Sequence, residues 1–86
     1  MISAKQIKAA RVFLDWEQRD LAERSGLSLP TIQRMEKLGL ERSSVANAQK
    51  VQAALEAAGV EFIPENGGGA GVRLRRRAAE RDYLSD

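Results

Sequence analysis

Through the first two thirds of the chain, apolar residues recur at intervals of three and four, and polar or glycine-bearing breaks divide that stretch into helices. Ser3 followed by Gln6 forms a capping-box pattern, and Ile7, Ala10, Arg11 and Leu14 then continue as one inward stripe to about Asp15. Lys5 and Lys8 fall off that stripe and are expected in solvent. Trp16 stands between the first helix and the second and is expected to plug the corner between them. A second helix is predicted over residues 17–24, ending at Ser25-Gly26, where glycine supplies the left-handed backbone of a tight exit. Ser28 caps a third helix running to about Lys37, and Pro30 fits its first turn because the amide it lacks has no partner there. Leu21, Ala22, Leu27, Ile32 and Met35 give these two short helices one buried face each. Ser43 or Ser44 caps a longer helix to about Ala58, with Val45, Ala48, Val51, Leu55 and Ala58 as its apolar positions and Gly59 as its end.

After Gly59 the period changes to two. Residues 60–63 and 71–75 alternate like strands, joined by the turn-rich stretch 64–70, so a β-hairpin is expected. The three consecutive glycines keep a loose tail open as the alternative, but Phe62, Ile63, Val72 and Leu74 give the segment something to bury. A lone hairpin is marginal in water, so this one must pack on the helices or pair with another chain. The chain therefore divides into a helical domain over 1–59, a hairpin extension of it over 60–75, and a charged, flexible tail over 76–86. Arg73, Arg75, Arg76 and Arg77 form the densest positive run, which fits a phosphate-binding arm as well as a solvated tail.

Composition narrows the chemistry. The 86 residues suffice for one domain with a single core. There is no Cys and no His, which removes disulfides, thiolate metal sites and the usual general base. No metal or other cofactor is expected, and neither is enzymatic activity. No apolar run is long enough to span a membrane, and the N-terminus lacks a signal-peptide pattern, so a cytoplasmic protein is expected. The net charge of +2 is too small by itself to mark a protein that coats nucleic acid, so the placement of charge matters more.

Between Gln18 and Glu36 the two short helices meet at the tight turn Ser25-Gly26-Leu27. Such a pair places side chains of its second helix in a DNA major groove, although a plain helical hairpin has the same outline. The spacing of Arg11, Gln18, Leu21, Ala22, Gly26, Ser28, Thr31, Ile32 and Glu36 is more specific. With these residues, 2–59 resembles the lambda-repressor/Cro-like helix-turn-helix family, also called the xenobiotic-response-element type. The resemblance, joined to the hairpin reading, implies a mainly α fold: a four-helix domain with a C-terminal β-hairpin. It further implies an ion pair between Arg11 and Glu36, a phosphate-supporting role for Gln18, and base contacts from the outward residues that open the third helix. Many members dimerise, some through a C-terminal strand, and Phe62, Ile63, Val72 and Leu74 are the candidate dimer contacts here.

On this resemblance the base-reading edge comprises Ser28, Leu29, Pro30, Thr31, Gln33 and Arg34. Arg34 has the geometry for guanine and Gln33 for adenine, while Leu29, Pro30 and the Thr31 methyl suit thymine methyl groups. Gln18, Arg19, Arg42, Ser43 and Ser44 are the candidate phosphate contacts. The expected function is sequence-specific binding of double-stranded DNA as a transcriptional regulator, a repressor acting as a homodimer. Two departures from the family pattern support a second expectation. Glu17 stands where Ser or Thr is usual, and Leu29-Pro30 stand where many relatives carry polar residues. Both also suit an antiactivator or antitoxin that binds another regulatory protein through the same scaffold.

Overall fold

A computed structural model describes residues 2–75 of the chain. The expectations for the tail 76–86, and for Arg76 and Arg77 in an arginine arm, lie outside the described residues. Helix α1 spans Ala4–Phe13 and begins with the expected capping box. Ser3 Oγ accepts from the Gln6 amide at 3.2 Å, and Gln6 Oε1 accepts from the Ser3 amide at 2.9 Å. The helix stops short of Asp15 because Asp15 itself turns left-handed, with φ of 57°. That turn lets the Trp16 amide donate to Arg11 O at 2.9 Å and the Asp15 amide to Val12 O at 3.0 Å, closing the helix end.

Helix α2 covers Gln18–Ser25 and α3 covers Leu29–Leu38. Gly26, with φ of 78°, closes α2 in the same way, since the Leu27 amide donates to Ala22 O at 3.1 Å. Ser28 then caps α3 by accepting from the Thr31 amide at 3.3 Å, and Pro30 sits in the first turn. A short 3-10 turn over Leu40–Arg42, not anticipated from the pattern, buries Leu40 and leads to α4, Val45–Ala57. Of the two candidate caps for α4, it is Ser44 that accepts from the Asn47 amide, at 3.0 Å. The expected inward stripe of α4 holds at Ala48, Val51 and Leu55, but Val45 is 58% exposed. Val45 opens the first turn of α4, beyond the span of helix that covers the core. The core is built from Ile7 and Ala10 of α1, Leu21 and Ala22 of α2, Ile32 and Met35 of α3, the α4 stripe, and Val60.

Strands β1 (Val60–Ile63) and β2 (Gly71–Leu74) pair antiparallel with Val60 opposite Leu74 and Phe62 opposite Val72. Alternation sends Val60, Phe62 and Val72 toward the helices and places the Glu61–Arg73 ion pair on the outer face. The hairpin packs against α1 and α4. Gln6 joins the two parts. Its amide nitrogen donates to Ile63 O at 3.3 Å and Gly71 O at 2.9 Å, and the residue is only 8% exposed. Every polar atom of that amide is therefore committed: the oxygen to the α1 cap, the nitrogen to both strands.

Candidate nucleic-acid interface

The two helices of the turn are fixed by a polar cluster around Glu36. Arg11 Nε donates to Glu36 Oε2 at 2.9 Å and Arg11 Nη2 to Glu36 Oε1 at 3.0 Å, a two-pronged pair. The third nitrogen of Arg11 donates to Trp16 O at 2.9 Å, and Gln18 Nε2 donates to Glu36 Oε1 at 3.1 Å. The Glu36 side chain is 1% exposed and that of Arg11 18%. A carboxylate so enclosed needs several donors, and α1 and α2 supply them through Arg11 and Gln18, while the turn after α1 orients Arg11 by accepting at Trp16 O. The expected ion pair is thus present, and it does more than join α1 to α3: it also fixes the start of α2.

Gln18, expected at phosphate, turns its amide nitrogen inward to this cluster. Trp16 packs against the core as expected and also carries the Arg24 guanidinium 5.0 Å from its ring centroid. That contact links the α1–α2 corner to the far end of α2. The helical period does not mark it, because Trp16 lies in the turn before α2 and not on the helix itself.

Along α3 the six candidate base readers differ in how available they are. Ser28 and Thr31 bond to each other through their hydroxyls at 2.8 Å, and Ser28 Oγ also accepts from the Thr31 amide. Leu29 is partly buried against the core. Pro30, Gln33 and Arg34 are exposed. A groove of about 150 Å³ runs beside them, lined by Glu17, Gln18, Arg19, Leu29 and Gln33.

Of the phosphate candidates, Arg19 and Arg42 are exposed, Ser43 is half-buried, and Ser44 uses its hydroxyl oxygen to cap α4. The start of α2 carries more negative charge than Glu17 alone. Asp20 Oδ2 accepts from the Glu17 amide at 2.8 Å, so one backbone donor that a phosphate would use is already taken by a carboxylate. An acid at the third position of a helix is the sequence signal for this cap, and Asp20 carries it.

The arginine run reads differently in three dimensions. Arg73 pairs with Glu61, and Arg75 Nη2 donates to Glu56 O at 2.8 Å, closing the end of α4. Neither is a free arm. The four candidate dimer residues do not share one face either. Phe62 and Val72 pack on the chain's own helices, Leu74 is 48% exposed, and alternation turns Ile63 to the outer face.

A helix pair joined by a glycine turn, with its second helix offering an exposed polar face, defines a helix-turn-helix protein. The helix-turn-helix family model matches residues 7–62, and the chain belongs to this lambda-repressor/Cro-like family of DNA-binding regulators. No curated protein matches the chain. Among the described residues there is no cluster of acidic or other metal-binding side chains, and no helix is long and apolar enough to cross a membrane.

Proposed function

We propose that this chain is a sequence-specific DNA-binding transcriptional regulator, a cytoplasmic repressor that acts as a homodimer with α3 in the major groove. One observation carries the reading: α3 exposes Gln33 and Arg34 while Glu36, less than one turn away, is held by Arg11 and Gln18. A reading helix must be rigid on its inner side and unspent on its outer side, and α3 meets both conditions. Arg19 and Arg42 supply exposed positive charge for the sugar-phosphate backbone.

Dimerisation is supported by the hairpin edge. The Arg75 amide donates to Gly59 O at 2.7 Å, one rung beyond Val60 and Leu74. Hydrogen-bonded rungs alternate in an antiparallel pair, so Val72 and Leu74 direct their own N–H and C=O groups away from β1. Such an edge accepts another strand. On a near-palindromic site such a dimer would have to dock its two α3 helices about 34 Å apart, one turn of the duplex. Leu74 and the β2 backbone are then the dimer contacts, while Phe62 and Val72 serve the fold.

The carboxylates at the start of α2 favour a second reading, an antiactivator or antitoxin that binds another regulator through α2 and α3. Titration of the chain onto its own promoter DNA at two salt concentrations separates the two. A repressor binds specifically and more weakly as salt rises. Absence of DNA binding at low salt, with one protein partner recovered by pull-down, overturns the repressor reading.

A further inference from the structure

An Asn-Gly pair between two strands signals a tight hairpin turn, with positive φ at both residues. Asn66-Gly67 does not serve that purpose here. Among the described residues Asp15 is the single non-glycine residue with positive φ, so Asn66 lies outside the tight-turn conformation, while Gly67 has φ of 82°. The strands end instead at the Ile63–Gly71 pair, and residues 64–70 form an exposed loop between them. Neither the Asn66 side chain nor the Gly67 amide makes a hydrogen bond among the described residues. The space around Gly67 is open, since a Cβ placed there would meet nothing within 4 Å. Asn47, the other asparagine, provides the contrast. It lies inside α4, and the amide of the residue after it, Ala48, donates to Ser44 O at 3.1 Å.

We propose that Asn66 is a site of spontaneous deamidation in the folded protein, through a succinimide closed by the Gly67 nitrogen, with water as the co-reactant. The Gly67 N–H gives its proton to a solvent base as the nitrogen bonds to Asn66 Cγ. The Cγ–Nδ2 bond then breaks, and Nδ2 leaves as ammonia after taking a proton from solvent. Water opens the resulting ring at either carbonyl. Breaking the bond to Cγ gives aspartate. Breaking the bond to the main-chain carbonyl gives isoaspartate, whose backbone runs through the former side chain. The attack needs an uncrowded nitrogen and a backbone free to swing it onto Cγ, and Gly67 in this loop meets both conditions. Ala48 meets neither, because its side chain flanks the nitrogen and the helix holds its N–H. Either product adds a carboxylate next to Glu65 and lowers the formal charge of +2 by one. The isoaspartate also lengthens the chain by a methylene. The loop absorbs it, because its two ends are held separately by Gln6 on Ile63 O and Gly71 O.

The test is incubation of the full chain, folded and in denaturant, in mildly alkaline buffer, followed by tryptic mapping against unincubated samples. Cleavage after Arg42, Lys50 and Arg73 leaves Asn66 as the sole asparagine of fragment 51–73 and Asn47 as that of fragment 43–50. Asn66 is expected to convert to aspartate and isoaspartate at comparable rates in the two states, with Asn47 unchanged in the folded chain. Aged and fresh chain should melt at the same temperature, and a lower value for the aged chain would overturn the claim that the loop absorbs the product. Gly67→Ala should slow the conversion several-fold, although the positive φ disfavours alanine there. Asn66→Gln keeps an amide but needs a larger ring to close, so it should abolish the conversion and leave the fold intact. An Asn66 that stays intact in the folded chain while the denatured chain converts overturns the inference. So does a mass gain in fragment 51–73 that persists in Asn66→Gln.

Discussion

Arg11 and Glu36 show how much of this scaffold hangs on one pair of charges. Glu36 is almost entirely enclosed, and its two oxygens accept from Arg11 and Gln18. Removing one partner of a buried pair costs about 3–5 kcal/mol, because the other is left desolvated and unpaired. Arg11→Ala is therefore expected to lower the melting temperature by more than about 12 °C, at roughly 4–8 °C per kcal/mol for a domain of this size. Glu36→Ala removes the enclosed charge itself, leaving Arg11 and Gln18 without their acceptor, and is expected to destabilise too, but less than Arg11→Ala. Arg34→Ala lies on the exposed face of α3 and should stay within about 0.5 kcal/mol of the parent. Thermal unfolding of the three variants decides the matter, and equal melting points would show that the pair contributes nothing. The sole tryptophan gives a direct probe, since Arg11 holds its backbone and Arg24 its ring. Helical spacing placed Arg11 on the inward stripe and the family resemblance supplied its partner. The inward turn of Gln18 had no such signal, because an amide at the start of a helix suits either a buried carboxylate or a phosphate.

At the level of elements, the hairpin is the least self-sufficient part, and Gln6 is what fastens it. The sequence marks Gln6 only as the second half of a capping box, a local motif read three residues apart. Its contacts to Ile63 and Gly71 join segments distant in the chain, and no periodicity reports them. The strands themselves were legible from their alternation, as were the helices from theirs, and α2 and α3 end within a residue or so of the expected positions. What the pattern could not separate was which apolar strand residues face inward, because Phe62 and Ile63 are both large, apolar and adjacent. Substituting Gln6→Glu keeps the acceptor for the Ser3 amide but sets a carboxylate against two carbonyl oxygens. It is expected to cost about 1–3 kcal/mol and to raise amide exchange in the hairpin before the helices. Uniform exchange across both would mean that the hairpin opens only with the whole fold. The end of α1 offers a second test, because Asp15 holds a left-handed conformation that glycine adopts without strain. Asp15→Gly should match or exceed the parent in stability, while Asp15→Ala should fall about 0.5–1 kcal/mol below it, both read by denaturant unfolding.

For the molecule as a whole, the decisive quantity is where charge sits rather than its sum of +2. Arg19, Arg34 and Arg42 are exposed around the helix pair, yet Glu17 lines the groove beside Arg19 and Gln33, and Asp20 caps the same helix start. A phosphate approaching there meets a carboxylate before it meets a backbone amide. Every phosphate that a protein neutralises on duplex DNA steepens the fall of log affinity with log salt by about 0.9. If the chain docks on DNA as proposed, Glu17→Gln removes one repulsive charge at the interface while Asp20 still accepts from the amide of residue 17. Affinity for a duplex lacking the operator should rise about threefold to tenfold at low salt, and the gain should fade as screening shortens the reach of the charge. Affinity for the operator should rise by a similar factor, leaving discrimination between the two unchanged, because the added attraction is blind to sequence. A protein-binding scaffold predicts a different outcome, since a carboxylate on a docking face contributes to partner recognition. Titration of both forms on operator and random duplexes, beside capture of a protein partner, separates the two. Unchanged DNA affinity together with lost partner capture would assign the carboxylate, and with it this face of the molecule, to a protein interface.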